Sequence, residues 1–186
     1  MQVAALILAA GASTRLGHPK QLIQLNGETL LERAIRIATD AGCKPVVVVL
    51  GSSAAAIAAA CDLSRATLVI NHNWQQGMGS SVQAGMAAVQ TDAVILMTCD
   101  QPAVTSDHLQ ALMRSGQTTA SGYDSRRGVP AFFPAIRFKE LLQISGDQGA
   151  RQLLASALIV ELKGGGLDID TPEALKQAKE QYEQKG

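Results

Sequence analysis

Short, continuously apolar runs alternate with stretches of helical periodicity along the chain. Val3–Leu8, Pro45–Leu50, Ala66–Ile70 and Ala93–Thr98 read as strands, the second carrying four consecutive valines whose β-branching suits a strand. Runs that are apolar throughout, rather than apolar at every second position, belong to strands covered on both faces. That pattern predicts a parallel sheet between layers of helices.

The segments between these runs carry helix signals. Thr29-Leu30-Leu31-Glu32 fits a capping box with Thr29 as N-cap. Leu30, Leu31, Ala34, Ile35 and Ala38 then form one apolar stripe, Glu32 and Arg36 stand an i,i+4 pair apart, and Gly42 is placed to end the helix. Ser80–Val89, Ser106–Met113 and Asp147–Ala155 also read as helices. Thr171-Pro172-Glu173 opens a last one, with Thr at N-cap, Pro at N1 and an acid in the first turn. Residues 115–135 are the least regular and predict an antiparallel edge. The β-α rhythm predicts an α/β fold with three layers: a mostly parallel, doubly wound, Rossmann-like sheet with helices on both faces, residues 1–186 forming one domain.

Composition narrows the function classes. Sixteen basic residues balance sixteen acidic ones, so no global field draws in nucleic acid or an anionic membrane. Aromatics are only 3%, too few for a platform that stacks single-stranded bases. No apolar run approaches the roughly 18 residues of a membrane span. Cys43, Cys61 and Cys99 are odd in number and form no CxxC, which suggests neither a disulfide framework nor a thiolate zinc site and points to the cytoplasm. Val3–Ala12 has the apolar character of a signal sequence, but its nearest cations, Arg15 and Lys20, lie on the wrong side.

In open parallel sheets ligands bind beyond the carboxyl ends of the strands, so the loops there carry the candidate chemistry. After the first strand comes Leu8-Ala9-Ala10-Gly11-Ala12-Ser13-Thr14-Arg15-Leu16-Gly17-His18-Pro19-Lys20. It is not a Walker A loop, because Leu16 stands where the second glycine is required, and Ser13 spoils a dinucleotide fingerprint. Small residues still allow close approach of backbone N–H groups to phosphate, Arg15 offers a bidentate fork and Lys20 a point charge. The alternative is a plain βα turn with two solvated cations. Asp100, after Ala93–Thr98, is either a metal-holding carboxylate or a turn acid.

The first loop resembles the signature of molybdenum-cofactor nucleotidyltransferases. Asn73–Val82, Cys99-Asp100-Gln101-Pro102, Gly128–Phe133, Gly146–Arg151 and Asp168–Pro172 continue the resemblance in family order, and together the six segments are specific where each alone is weak. Ala9-Ala10-Gly11 is closer to the cytidylyltransferases; guanylyltransferase relatives have Ala-Gly-Gly there.

The resemblance implies transfer of CMP from CTP to the terminal phosphate of molybdenum-bound molybdopterin, with release of pyrophosphate. It implies catalytic roles for Arg15, Lys20 and Asp100. It implies nucleotide contacts from Leu8, Ala9, Ala10, Gly11, Arg15, Lys20, Gly79, Ser80, Ser81, Gln101 and Pro102. Mg2+ is the implied cofactor, held by Asp100 and Asp168, although spacing alone does not separate Asp168 from Asp170. Arg126, Arg127 and Arg151 are candidate contacts to the molybdopterin phosphate. The implied partners are a molybdenum hydroxylase or dehydrogenase that receives the product, with no nucleic acid and no membrane. Other readings are transfer with a different nucleotide or phosphorylated acceptor, and a non-catalytic cofactor-binding chaperone. Trp74 and Cys99 read as packing residues, and His18 as a candidate ligand contact.

Overall fold

The structure is a computed structural model and describes residues 1–146 and 150–183. In chain order its main elements are β1 (Val3–Ala9), a small hairpin of β2 (Gln24–Leu25) and β3 (Glu28–Thr29), α1 (Leu30–Asp40) and β4 (Val46–Leu50). Then come α2 (Ala54–Ala60), β5 (Thr67–Ile70), α3 (Met78–Met86), β6 (Ala93–Thr98) and α4 (Ser106–Met113). The C-terminal part adds β7 (Thr119–Tyr123), β8 (Arg126–Pro134), α5 (Phe138–Leu141), β9 (Leu158–Glu161) and α6 (Pro172–Tyr182).

Seven strands form one sheet in the order β5-β4-β1-β6-β8-β7-β9. The four apolar runs named from the sequence become β5, β4, β1 and β6, all mutually parallel. Their side chains alternate between two apolar layers. Ala5, Ile7, Val46, Val48 and Ile95 pack with Ile35, Ile57 and Leu109 of α1, α2 and α4. Leu6, Leu8, Val47, Val49 and Val94 pack with Val82 and Met86 of α3. Both faces of β1, β4 and β6 are therefore covered, which is why these runs are almost wholly apolar, whereas β5, at the border of the sheet, is largely exposed.

The capping box at Thr29 and Glu32 is formed in both directions. Past α1, Gly42 adopts φ +93, its N–H bonds Thr39 O, and Cys43 N bonds Ala38 O, the two bonds of a Schellman stop. The expected Glu32–Arg36 pair does not form. Glu32 is taken by the cap and by the Asp62 N–H, and Arg36 instead grips Glu28 with both Nε and NH2.

Two further expectations are corrected. Residues 115–135 do hold an antiparallel pair, but not an edge: β8 lies between β6 and β7, and the border is β9, a short apolar run at residues 158–160 that the sequence reading did not name. The helix expected at Asp147–Ala155 begins on residues outside those described, and its remainder is a single 3-10 turn, Arg151–Leu154. Here the apolar spacing reflects Ala150 and Leu154 entering the core, with Leu153 packed partly buried against it.

Candidate active site

The chain runs outward from β1 through β4 to β5, then crosses back to place β6 on the other side of β1. Adjacent strands thus lead to opposite sides at the β1–β6 boundary, the kind of switch point that opens a crevice at strand ends. Leu8 is in register with Thr98, so Ala9-Ala10-Gly11 and Cys99-Asp100 leave the sheet side by side. A cleft of about 880 Å³ opens there.

The first loop is held by groups with little sequence signal. Buried Gln21 donates from Nε2 to Ala9 O at 2.6 Å and to Gly11 O at 3.3 Å. Ser13, at φ +52, accepts from the Lys20 N–H at 3.0 Å. The loop folds back on itself, and Lys20 is carried over the ends of β1 and β6.

There the Lys20 ammonium sits between two acids. Nζ lies 2.5 Å from Asp100 Oδ2 and 2.6 Å from Asp170 Oδ1. Arg15 reaches the other oxygen of Asp170 at 2.9 Å from the rim, with a side chain 68% exposed. Burial works against the charge on Lys20, but the Asp100 carboxylate, then Asp170, outweigh it and hold its pKa above the usual lysine value. The second oxygen of Asp100, Oδ1, is buried and has no hydrogen-bond partner among the described residues.

Asp168 and Asp170 come from a distant segment that crosses over after β9. It is anchored by Ile169, whose N–H bonds Asp100 O at 2.9 Å and whose side chain is buried with Leu16, Leu30 and Ala178. The segment is bent rather than extended: Asp170 N bonds Asp168 O, turning the chain at Ile169. Both carboxylates nevertheless line the cleft. The two are not equivalent: Asp170 is ion-paired with Lys20 and Arg15, whereas Asp168 has no ion pair among the described residues. Asp168 still meets solvent at the cleft surface, yet the surrounding wall is crowded. Desolvation, followed by repulsion from Asp100 and Asp170, pushes its carboxyl up to about 6.

Of the sequence candidates, Leu8, Ala9, Ala10, Gly11, Lys20, Ser81, Asp100, Gln101 and Asp168 line the cleft. Arg15, Gly79, Ser80 and Pro102 do not: Arg15 stands on the rim, paired with Asp170, and each of the other three has a structural occupation. A Cβ on Gly79 would come within 2.9 Å of Ile144 O, so this glycine lets α3 pack on the chain behind it. Ser80 Oγ donates to the carbonyls of Gly77 and Asn73 and accepts from Asn71 Nδ2, which ties the start of α3 to the loop before it. Pro102 is buried, and its carbonyl accepts from Arg33. Gln101 is turned inward, donating to Gly165 O and to the Tyr123 hydroxyl, so it braces the loop as well as forming wall.

Arg126, Arg127 and Arg151 line the same cleft, as does Trp74, which also packs against Gly51. His18 is absent from the wall and bonds Leu16 O through Nδ1. Cys99 is buried, and burial pushes its thiol up to about 12, leaving no thiolate near neutrality. Sequence reasoning missed Gln21, Arg33 and Tyr123, whose roles rest on contacts with residues distant along the chain.

Could these carboxylates hold a divalent cation? Among the described residues no three His, Cys, Asp or Glu side chains already converge on one point. Asp100 nevertheless has a buried oxygen without a partner, and hard oxygen donors of this kind suit Mg2+ or Mn2+. The residues therefore fit such an ion.

Known proteins agree with this architecture. The MobA-like NTP transferase domain pattern matches residues 5–162. A nicotine blue oxidoreductase of Paenarthrobacter nicotinovorans is 38% identical over 93% of this chain and 94% of its own. The molybdenum cofactor cytidylyltransferase of Escherichia coli is 28% identical over 95% of each chain. The crystal structure of Rv0371c from Mycobacterium tuberculosis is 30% identical, covers 97% of this chain and 98% of its own, and superposes with a TM-score of 0.87. A second structure of that protein is a complex with manganese, at 28% identity over 97% of this chain and all of its own, with a TM-score of 0.82. With a crevice at the sheet's switch point, a lysine and three carboxylates at its floor, and the family pattern running through nearly all of its strands, the chain belongs to the MobA-like NTP transferase domain family, a family of nucleotidyltransferases.

Proposed function

We propose that the protein transfers a cytidylyl group from CTP to the terminal phosphate of a molybdopterin-type cofactor. An oxygen of the acceptor phosphate forms a bond to the α-phosphorus, the bond from that phosphorus to the β-bridging oxygen breaks, and pyrophosphate leaves. The observation that carries the reading is the Lys20–Asp100–Asp170 cluster at the end of β1 and β6, with Arg15 on its rim. Its cations suit a triphosphate, and its acids suit the ion that accompanies one.

Both reactants are polyanions, so positioning and neutralisation supply most of the catalysis. The backbone of Ala9–Gly11 borders the nucleotide, and a Cβ on Gly11 would meet nothing within 4 Å, leaving room for close approach. Lys20 and Arg15 neutralise charge on the triphosphate and on the departing pyrophosphate. Arg126, Arg127 and Arg151, on the same cleft, suit the acceptor's phosphate. Asp100, with Asp168 and Asp170 on the same cleft, would hold Mg2+, which when bound neutralises phosphate oxygens. We place the reaction in the cytoplasm, with a molybdenum hydroxylase or dehydrogenase receiving the product.

The E. coli relative supports this substrate pair, whereas the name of the P. nicotinovorans relative states an oxidoreductase for that protein. A second reading therefore keeps the cleft and changes the chemistry. Incubation with α-labelled CTP, Mg2+ and molybdopterin separates the two: labelled cytosine dinucleotide and pyrophosphate are expected. Turnover with GTP but not CTP would overturn the base assignment. No nucleotide turnover at all would favour the second reading or a cofactor-carrying chaperone.

A further inference from the structure

The cation position between Asp100 and Asp170 already has an occupant. We propose that the Lys20 ammonium is an exchangeable placeholder, which a divalent ion displaces and which a triphosphate then accepts; the proposal rests on nucleotidyl transfer taking place in this cleft. Nζ stands at hydrogen-bonding distance from both carboxylates, 2.5 and 2.6 Å, and fills the space that an ion shared by them would need. A lysine has no lone pair to offer a metal while charged, and two cations cannot share two carboxylates without strong repulsion.

The remaining geometry suits an exchange rather than a fixed brace. Asp100 Oδ1 is buried and has no partner among the described residues although Oδ2 is taken, so the ammonium leaves the carboxylate half satisfied. A permanent buried ion pair would be expected to have its remaining lone pairs bonded. The Lys20 backbone is pinned by its N–H to Ser13 Oγ, but a flexible four-carbon stem carries the charge. From that fixed root the ammonium can turn from the acids toward Ala9–Gly11, which line the same cleft.

The consequence is coupling. Without a triphosphate, an incoming ion strands Lys20 with no anion, so binding of the ion alone is weak. With a triphosphate present, Lys20 has a new partner and the acids are released. Ion and nucleotide therefore favour one another, and by linkage the factor is the same in both directions.

Mn2+ titration followed by electron paramagnetic resonance, with no nucleotide, tests the exchange. Lys20→Met and Lys20→Gln are expected to bind Mn2+ at least about 10-fold tighter than wild type, within the usual range of site coupling. Lys20→Arg, which keeps a charge, should gain much less. Neutral variants that bind Mn2+ no tighter than wild type would overturn the proposal. A measurement on the unaltered protein guards against variants that do not fold: acetic anhydride labelling of Lys20, read by mass spectrometry, should rise when Mn2+ is added. Unchanged labelling at saturating Mn2+ would also overturn it. Neither readout uses CTP or molybdopterin, so failure of the proposed substrates leaves these results standing. Conversely, CTP turnover with unchanged Mn2+ affinities would sink the exchange alone.

Discussion

Arg33 donates through one terminal nitrogen to the Pro102 carbonyl at 2.8 Å and to the Val104 carbonyl at 2.9 Å. This half-buried residue of α1 thereby fastens the turn that begins with Asp100. Its effect on the site passes entirely through backbone, which makes it a positioning residue. Arg33→Leu would leave two carbonyls without their donor, at a cost of about 1–3 kcal/mol in urea unfolding. Turnover at saturating CTP should fall while KM moves little, and Arg33→Lys should recover part of both losses.

Asp100→Asn should lose Mg2+-dependent turnover by about 100-fold or more. It should also melt below wild type, because Lys20, with a side chain only 17% exposed, loses its closest counter-charge. Adding Lys20→Met removes the stranded ammonium, so the double variant should regain melting temperature without regaining activity. Equal and additive losses in calorimetry would mean that the two residues are not coupled.

Asp168 makes a pH-dependent prediction in metal-free buffer. Its carboxyl is raised to about 6 from an ordinary value of 3.8, so the folded state holds this proton more tightly than the unfolded state does. The associated stability is fully present below about pH 4 and is lost as pH rises through 6. At pH 7 the charge is a liability, and Asp168→Asn should be the more stable protein. Because the side chain still meets solvent, the gain should be no more than about 1 kcal/mol. Thermal melts between pH 4 and 7 should show the two proteins converging at the acid end; a gap that widens toward pH 4 would contradict the assignment.

Two glycines should respond in opposite ways. A Cβ on Gly79 would come to 2.9 Å from both Ile144 O and the Ser145 Cα, backbone atoms that cannot simply turn aside. Gly79→Ala should therefore destabilise by about 1–3 kcal/mol. A Cβ on Gly11 meets nothing within 4 Å, so Gly11→Ala should melt like wild type. If nucleotide lies against that backbone, the added methyl should still weaken CTP binding, which calorimetric titration would read directly.

The strand and cap positions were legible because their causes are local. A run such as Val46-Val47-Val48-Val49-Leu50 is apolar at every position only if both faces are covered. The Thr29–Glu32 box and the Thr171-Pro172 start satisfy backbone donors within one turn. The residues after β1 and β6 could be named for the same reason: once the strands are known, their carboxyl ends are known. The Glu32–Arg36 pair failed because helix spacing says which partners are reachable, not which are already engaged.

The identity of the groups that meet was decided by the tertiary structure. Lys20 and Asp170 are 150 positions apart, and nothing local brings them together. Their meeting depends on the β1–β6 register, on the crossing after β9, and on Ile169 bonding to Asp100 while its side chain enters a small core. The same assembly separates Asp168 from Asp170, which sequence spacing left equivalent: Asp170 is paired with cations, and Asp168 stands, only partly desolvated, among like charges. Sequence determines which charges are available and which local turns can carry them. Charge–charge energy depends on distance and on the surrounding medium, and both exist only once distant segments have packed.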